Sequence, residues 1–230
     1  MTSILAAQEE ESVKGVNPKE NLTKVEVLYK YDKAVSDGYT QALTFKYDQA
    51  LSKQVGFNIE IPVVNFSGYG IADRGLGDIN LRVRYIGRPG FATPVFGAEV
   101  VVKTASKDTL GSGKWQANPT AGCVFAVSQF DFLYIGYKHV FSVAGDESRT
   151  DLRASQPRLL VAHTSSSGWW VLGDLKYTKS WAAQEPERLD CEVEFGQMIS
   201  RNQAVWIRGG GSALDKTRNW GVNLGWRGIF

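Results

Sequence analysis

The chain has 230 residues and a formal net charge of only +2. That length suits one large domain or two small ones, and that balance points to no nucleic-acid partner. Composition is 43% hydrophobic and 22% charged, but 24 glycines, 12% aromatics and seven tryptophans favour strands and tight turns over helices. No stretch reaches the ~18 consecutive apolar residues of a membrane helix. The uncharged run Gln116 to Phe130 is interrupted by Asn118, Pro119, Gly122 and Gln129. A strand barrel escapes this exclusion, because it shows apolar side chains to lipid only at every second residue.

At the N-terminus, Leu5-Ala6-Ala7 resembles the small-residue end of a signal peptide, without a basic start or a long apolar core. The expectation is a flexible leader over residues 1–20, begun by the remnant of a signal peptide, with a misassigned start. Residues 21–230 then form the folded unit.

From there period-two alternation dominates. Val25, Val27, Tyr29 and Tyr31 alternate with Lys24, Glu26, Lys30 and Asp32. Leu43, Phe45 and Tyr47 follow, then Val55, Phe57, Ile59, Ile61 and Val63 around Asn58 and Glu60. The clearest run sets Ile79, Leu81, Val83 and Tyr85 against Asp78, Asn80, Arg82 and Arg84. Phe96, Ala98, Val100 and Val102 oppose Glu99 and Lys103, and two further runs centre on Ala121-Cys123 and Leu133-Ile135-Tyr137. The second half repeats the pattern around Leu159, Leu175, Val193 and Ile207. It ends with Trp220, Val222, Leu224, Trp226 and Phe230. About twelve strands of roughly ten residues result, the length a tilted strand needs to cross a bilayer.

Connections near Ser52, Pro89, Gln129, Ser166 and Asn202 read as tight, and those near Ser36, Gly70, Gly111, Gly145, Glu185 and Lys216 as mostly longer and polar. Short turns on one side and longer loops on the other are expected of an up-and-down antiparallel barrel with both termini in the periplasm. A soluble sandwich or lipocalin-like barrel also alternates. Recurring Tyr and Trp near strand ends, small and mixed-charge residues on the polar face, and a last strand ending on Phe230 favour the membrane version. The fold expected is therefore an all-β transmembrane barrel of about 12 strands.

Several stretches resemble a family of bacterial outer-membrane proteins labelled after the meta-pathway of phenol degradation. They are Gly75-Leu-Gly-Asp78, Asp108-Thr-Leu-Gly-Ser-Gly-Lys-Trp115, His139-Val-Phe-Ser-Val-Ala-Gly-Asp146 and Gln156-Pro157. The resemblance implies a barrel that moves small, often aromatic or hydrophobic, compounds. It also implies that the strand ending on Phe230 is read by the barrel-assembly machinery.

The polar face supplies the lumen candidates. These are Glu60, Asp78, Arg82, Arg84, Glu99, Lys103 and Lys138, then Arg158, Asp174, Glu192, Glu194, Arg208 and Arg227. They read either as walls that select a small solute or as a salt-bridged filling that holds the barrel together. Arg82 and Arg84 share a strand and a face and are the expected anion contacts.

Gly111-Ser-Gly-Lys114 lacks the glycine and hydroxyl of a phosphate loop and reads as a turn. Gly209-Gly-Gly211 reads as a strand kink. Only His139 and His163 could serve a hydrolase, and neither has an evident triad. Cys123 and Cys191 read as small apolar strand residues. Neither a metal site nor a cofactor is expected. The reading is a passive outer-membrane channel for small solutes, with the bilayer as partner and no enzymatic activity. A lipid-modifying enzyme, or an adhesive barrel with partner-binding loops, is the alternative.

Overall fold

A computed structural model describes residues 13–34, 38–181, 187–214 and 218–230. The alternating runs become β1 (Lys24–Ala34), β2 (Gly38–Ala50), β3 (Val55–Gly68), β4 (Ile71–Leu76), β5 (Ile79–Ile86) and β6 (Ala92–Val102). After these come β7 (Lys114–Ala126), β8 (Asp131–Gly145), β9 (Arg153–Thr164), β10 (Trp169–Ser180), β11 (Arg188–Ser200), β12 (Gln203–Ser212) and β13 (Arg218–Ile229). Each pairs antiparallel with its neighbours, and β1 meets β13 from Lys24↔Ile229 to Ala34↔Arg218, which closes the sheet. Closure removes the unpaired edges that lipid would not tolerate.

β4 and β5 are two halves of one stave. β3 pairs with β4 through Val63–Gly68 and with β5 through Val55–Glu60. Between Glu60↔Asn80 and Val63↔Leu76, three residues of the stave face two of β3, which is a bulge. Pro62, which has no N–H to give, sits on β3 at this point, and its carbonyl accepts from Gly77 N at 2.9 Å. Twelve staves therefore surround the lumen, as the alternation predicts.

Five tight turns share the end where β1 starts and β13 finishes. The opposite end carries the longer loops, with one correction. The long connection expected near Gly70 is a two-residue hairpin turn, Tyr69 (φ 52) and Gly70 (φ 75), because β3 and β4 pair out to Gly68↔Ile71. That extension is polar or mixed, so hydrophobic alternation does not reveal it.

The barrel is apolar outside and charged inside. Phe45, Val193 and Leu224 are 46%, 59% and 49% exposed, whereas Glu99, Asp174 and Glu194 are 5%, 6% and 4% exposed. Water-soluble folds arrange these residue types the other way. The outer face therefore belongs in lipid. Aromatic residues ring it near both ends: Tyr31 lies 5.9 Å from Tyr39 and 5.3 Å from Trp220, and Phe91 lies 6.1 Å from Phe125.

Inside, large rings lie across glycines of neighbouring strands. A Cβ on Gly196 would come within 2.0 Å of the Trp170 ring, and one on Gly225 within 2.1 Å of Trp206. Tyr134 likewise fills the space left by Gly122 on the neighbouring β7 and by Gly136 on its own strand.

Candidate functional site

The lumen has two unlike halves. Near the tight turns its lining is apolar: Val124, Phe132, Leu160, Ala162, Trp170, Leu172 and Ala204 form one cluster. Val13 enters this cluster and Val16 packs on it, so the segment before β1 sits inside the barrel. Residues 13–20 of the expected leader are thus placed in the lumen; residues 1–12 lie outside those described.

Polar contacts fasten the segment. The Arg227 guanidinium donates to Lys14 O at 3.1 Å and to Glu26 Oε1 at 2.6 Å, and stands 4.9 Å from the Trp206 ring centre. Gly15 (φ +78) passes so close to Arg227 that a Cβ would come 2.9 Å from its Nη1. Arg84 donates to Glu20 O at 2.8 Å, and Asn21 Nδ2 donates to Ser52 O and Val55 O at 2.6 and 2.8 Å. A cavity of about 430 Å³ remains beside the segment, between Val13 and Val16 on one side and Phe130 and Phe132 on the other.

Above the segment opens a larger cavity of about 730 Å³, floored by Pro18, Leu28, Val95, Tyr134 and Leu160 and walled by ionisable residues. Of the predicted lumen residues, Arg82, Arg84, Glu99, Lys138, Arg158, Asp174, Glu192 and Arg208 line it. Glu60, Glu194 and Arg227 are inward but below or behind this wall. Glu60 lies 3.3 Å from Lys46 and 3.8 Å from Arg82. Glu194 accepts from Trp170 Nε1 at 2.7 Å and from Arg208 at 2.6 Å.

Two predicted lumen residues stand elsewhere. Lys103 is exposed, one residue beyond β6. Asp78 lies at the bulge between β4 and β5 and organises loop 103–113. Its carboxylate accepts from Thr104 N at 3.2 Å, Ala105 N at 3.1 Å, and Ser112 N and Oγ at 2.7 and 3.0 Å. Thr109 Oγ1 donates to Asp73 at 2.6 Å, and Arg149 donates to Gly111 O at 3.1 Å. The sequence motifs around Asp78, Gly111 and Asp146 thereby meet at one outer rim. Gly113 O accepts from Asp146 N at 3.0 Å, and Lys114, in no phosphate loop, pairs with Asp151 at 2.8 Å.

Sequence reasoning passed over Lys30, Asp32, Lys176, Arg188 and Asp190, which also line the cavity. Their inward parity was the available signal: Asp190 alternates in step with Glu192 and Glu194. Acids and cations are joined across strands. Arg82 Nη2 donates to Glu99 at 2.6 Å and Lys138 Nζ reaches the same carboxylate at 3.3 Å. Arg158 Nε and Arg208 Nη1 reach Asp174 at 2.8 and 3.2 Å.

Both histidines point outward from the wall. His163 Nδ1 lies 2.8 Å from Asp131, its ring 5.2 Å from Trp169, while His139 Nδ1 lies 3.3 Å from the Tyr137 hydroxyl. Among the described residues neither is hydrogen-bonded to a serine or cysteine, and no group of three His, Cys, Asp or Glu could hold a metal. Cys123 and Cys191 are free thiols on strands.

No family model matches the chain, and no curated relative matches it. Solved structures do share its fold. An outer-membrane channel from Pseudomonas putida F1 superposes with a TM-score of 0.73 at 14% identity, over 92% of this chain and 96% of that one. The NanC porin gives 0.68 at 9% identity, over 90% and 99%. CymD, described as a monoaromatic hydrocarbon channel, gives 0.57 at 8%, over 94% and 91%. The fold is that of outer-membrane channels and porins.

Proposed function

We propose that this chain is a passive channel of a bacterial outer membrane that carries small solutes. One observation carries the reading: a closed barrel, apolar toward lipid, encloses a charged cavity of about 730 Å³. The shared fold with channels and porins supports it. No ATP is present in an outer membrane, so flux follows a gradient or an inner-membrane partner.

The same reading puts the tight-turn end, with both chain ends, in the periplasm. The strand closing on Phe230, whose N–H donates to Thr23 O at 3.0 Å, is the one offered to the assembly machinery. Aromatic cargo is supported by the resemblance to phenol-pathway proteins and by CymD's description.

Purified protein in planar bilayers tests this. Single-channel steps, or solute flux into liposomes, are expected; a reconstituted, folded barrel with neither would overturn the proposal. Lipid-hydrolysis assays on the wild-type and His139→Ala proteins are expected to show no activity in either.

A further inference from the structure

The upper cavity is unevenly charged. Nine cationic and five acidic side chains line it. Asp32 is matched to Lys30 at 2.6 Å, but three of the acids are shared between two cations each. Glu99 serves Arg82 at 2.6 Å and Lys138 at 3.3 Å. Asp190 serves Lys176 and Arg188, each at 3.1 Å, and the buried Arg188 Nε has no aligned acceptor. Asp174 stands between Arg158 and Arg208. Glu60 and Glu194 reach these guanidinium groups from behind, at 3.8 Å from Arg82 and 2.6 Å from Arg208, which sets seven acids against nine cations among these described residues.

Arg84 completes the picture. Its guanidinium donates to a backbone carbonyl and an amide oxygen, those of Glu20 and Asn21. Among the described residues no carboxylate lies within ion-pair distance of it. It lines the cavity whose floor is Pro18, Leu28, Val95, Tyr134 and Leu160. Surplus positive charge in a confined, low-dielectric space concentrates anions. An apolar floor beside it rewards a compact hydrocarbon body.

We propose that this cavity binds small monocarboxylates with an apolar body, the carboxylate at the Arg84 guanidinium in the field of the cationic wall that includes Lys138, and the hydrocarbon on the Tyr134–Leu160 floor. Passage of such anions rests on the channel reading; their binding does not. A neutral or cationic molecule of the same shape gains the floor but not the wall.

Pentanoate, pentylammonium and pentanol are matched probes. Calorimetric titration of the detergent-solubilised protein is expected to show binding of pentanoate alone. Arg84→Gln and Lys138→Gln should each weaken it several-fold, whereas Lys107→Gln, in the outer loop, should leave it unchanged. Lys138 makes its ion pair with Glu99 and none with the described N-terminal segment, so it separates charge from loss of the Arg84 anchor. Heat-modifiable gel mobility confirms that each variant is folded. In bilayers under a KCl gradient, the reversal potential should shift toward that of chloride. Equal affinity for pentanoate and pentylammonium, or a cation-selective pore, would sink the proposal while leaving a channel. Pentanoate-specific binding without conductance would support the anion site and remove the channel. Neither binding nor conductance removes both.

Discussion

The two halves of the lumen solve the same packing problem with opposite chemistry. Toward the tight turns, Trp170, Phe132 and Leu172 pack the interior, and a stretch of the chain's own N-terminal segment adds Val13 and Val16 to them, beside the smaller cavity. Toward the loops, Arg82, Arg158, Arg208 and their acids hold the walls apart around open space. An apolar interior closes on itself because water leaves it. A charged one stays hydrated, since stripping water from so many ions costs more than their pairing returns. The lower half is therefore the more tightly packed one, and the upper half a vestibule.

Emptying the packed half is the strongest way to break this contrast. Deleting residues 13–20 should raise single-channel conductance many-fold, because Val13, Val16 and Pro18 leave the lumen. An unchanged conductance in a folded barrel would show that the segment is not the constriction. Next in size, Trp170→Ala should cost about 3–5 kcal/mol in denaturant unfolding, as for large aromatic truncations in cores. Trp170 is fully buried and anchored to Glu194 at 2.7 Å. A loss near zero would mean that the lower half is not packed like a core.

The wall itself separates inside from outside on a single strand. Val193→Lys, at mid-strand and 59% exposed toward lipid, should destabilise the barrel by roughly 2–4 kcal/mol in vesicles. The inward Glu192→Gln should change stability far less. Similar losses at both positions would argue against a lipid-facing surface.

The smallest effect concerns the long loops. Hydrogen bonds from Lys114 and Ser142, with the nearby Lys114 charge, hold the exposed Asp151 carboxyl below the usual carboxylate range. Its contribution is complete above the unfolded carboxyl's pKa and fades as pH falls through the lowered one. Amide exchange at Leu152, which donates to Ser142 Oγ at 3.1 Å, should quicken in that acidic window and not at neutral pH.

Much of this architecture is legible in the amino-acid order, and the gaps have physical causes. Alternation such as Leu81-Arg82-Val83-Arg84 assigns faces directly, because the side-chain period of a strand is two. It does not say where a strand stops once it leaves the bilayer, so the β3–β4 hairpin and the loop positions of Asp78 and Lys103 escape it. The N-terminal segment is harder still. Glu9 to Glu20 is polar in composition, and two valines among charges carry no periodicity. Only the ring of apolar residues gathered from β7 to β12 makes Val13 and Val16 core residues. The cation surplus was equally invisible: a net charge of +2 hides it, because acids and bases are distributed differently inside and outside the cavity.

The glycine sockets under Trp170, Trp206 and Tyr134 bear on how the sheet closes without error. Sliding a strand by one residue is punished by turning charges into lipid, but sliding it by two restores every face. The sockets penalise that second mistake. Trp170 stands directly across from Gly196, and Trp206 from Gly225. Shifted by two, Trp170 would face Glu194 or Met198, where a side chain already occupies the volume of its ring. These ring-and-glycine pairs thus act as keys that make a single register fit between β10 and β11 and between β12 and β13.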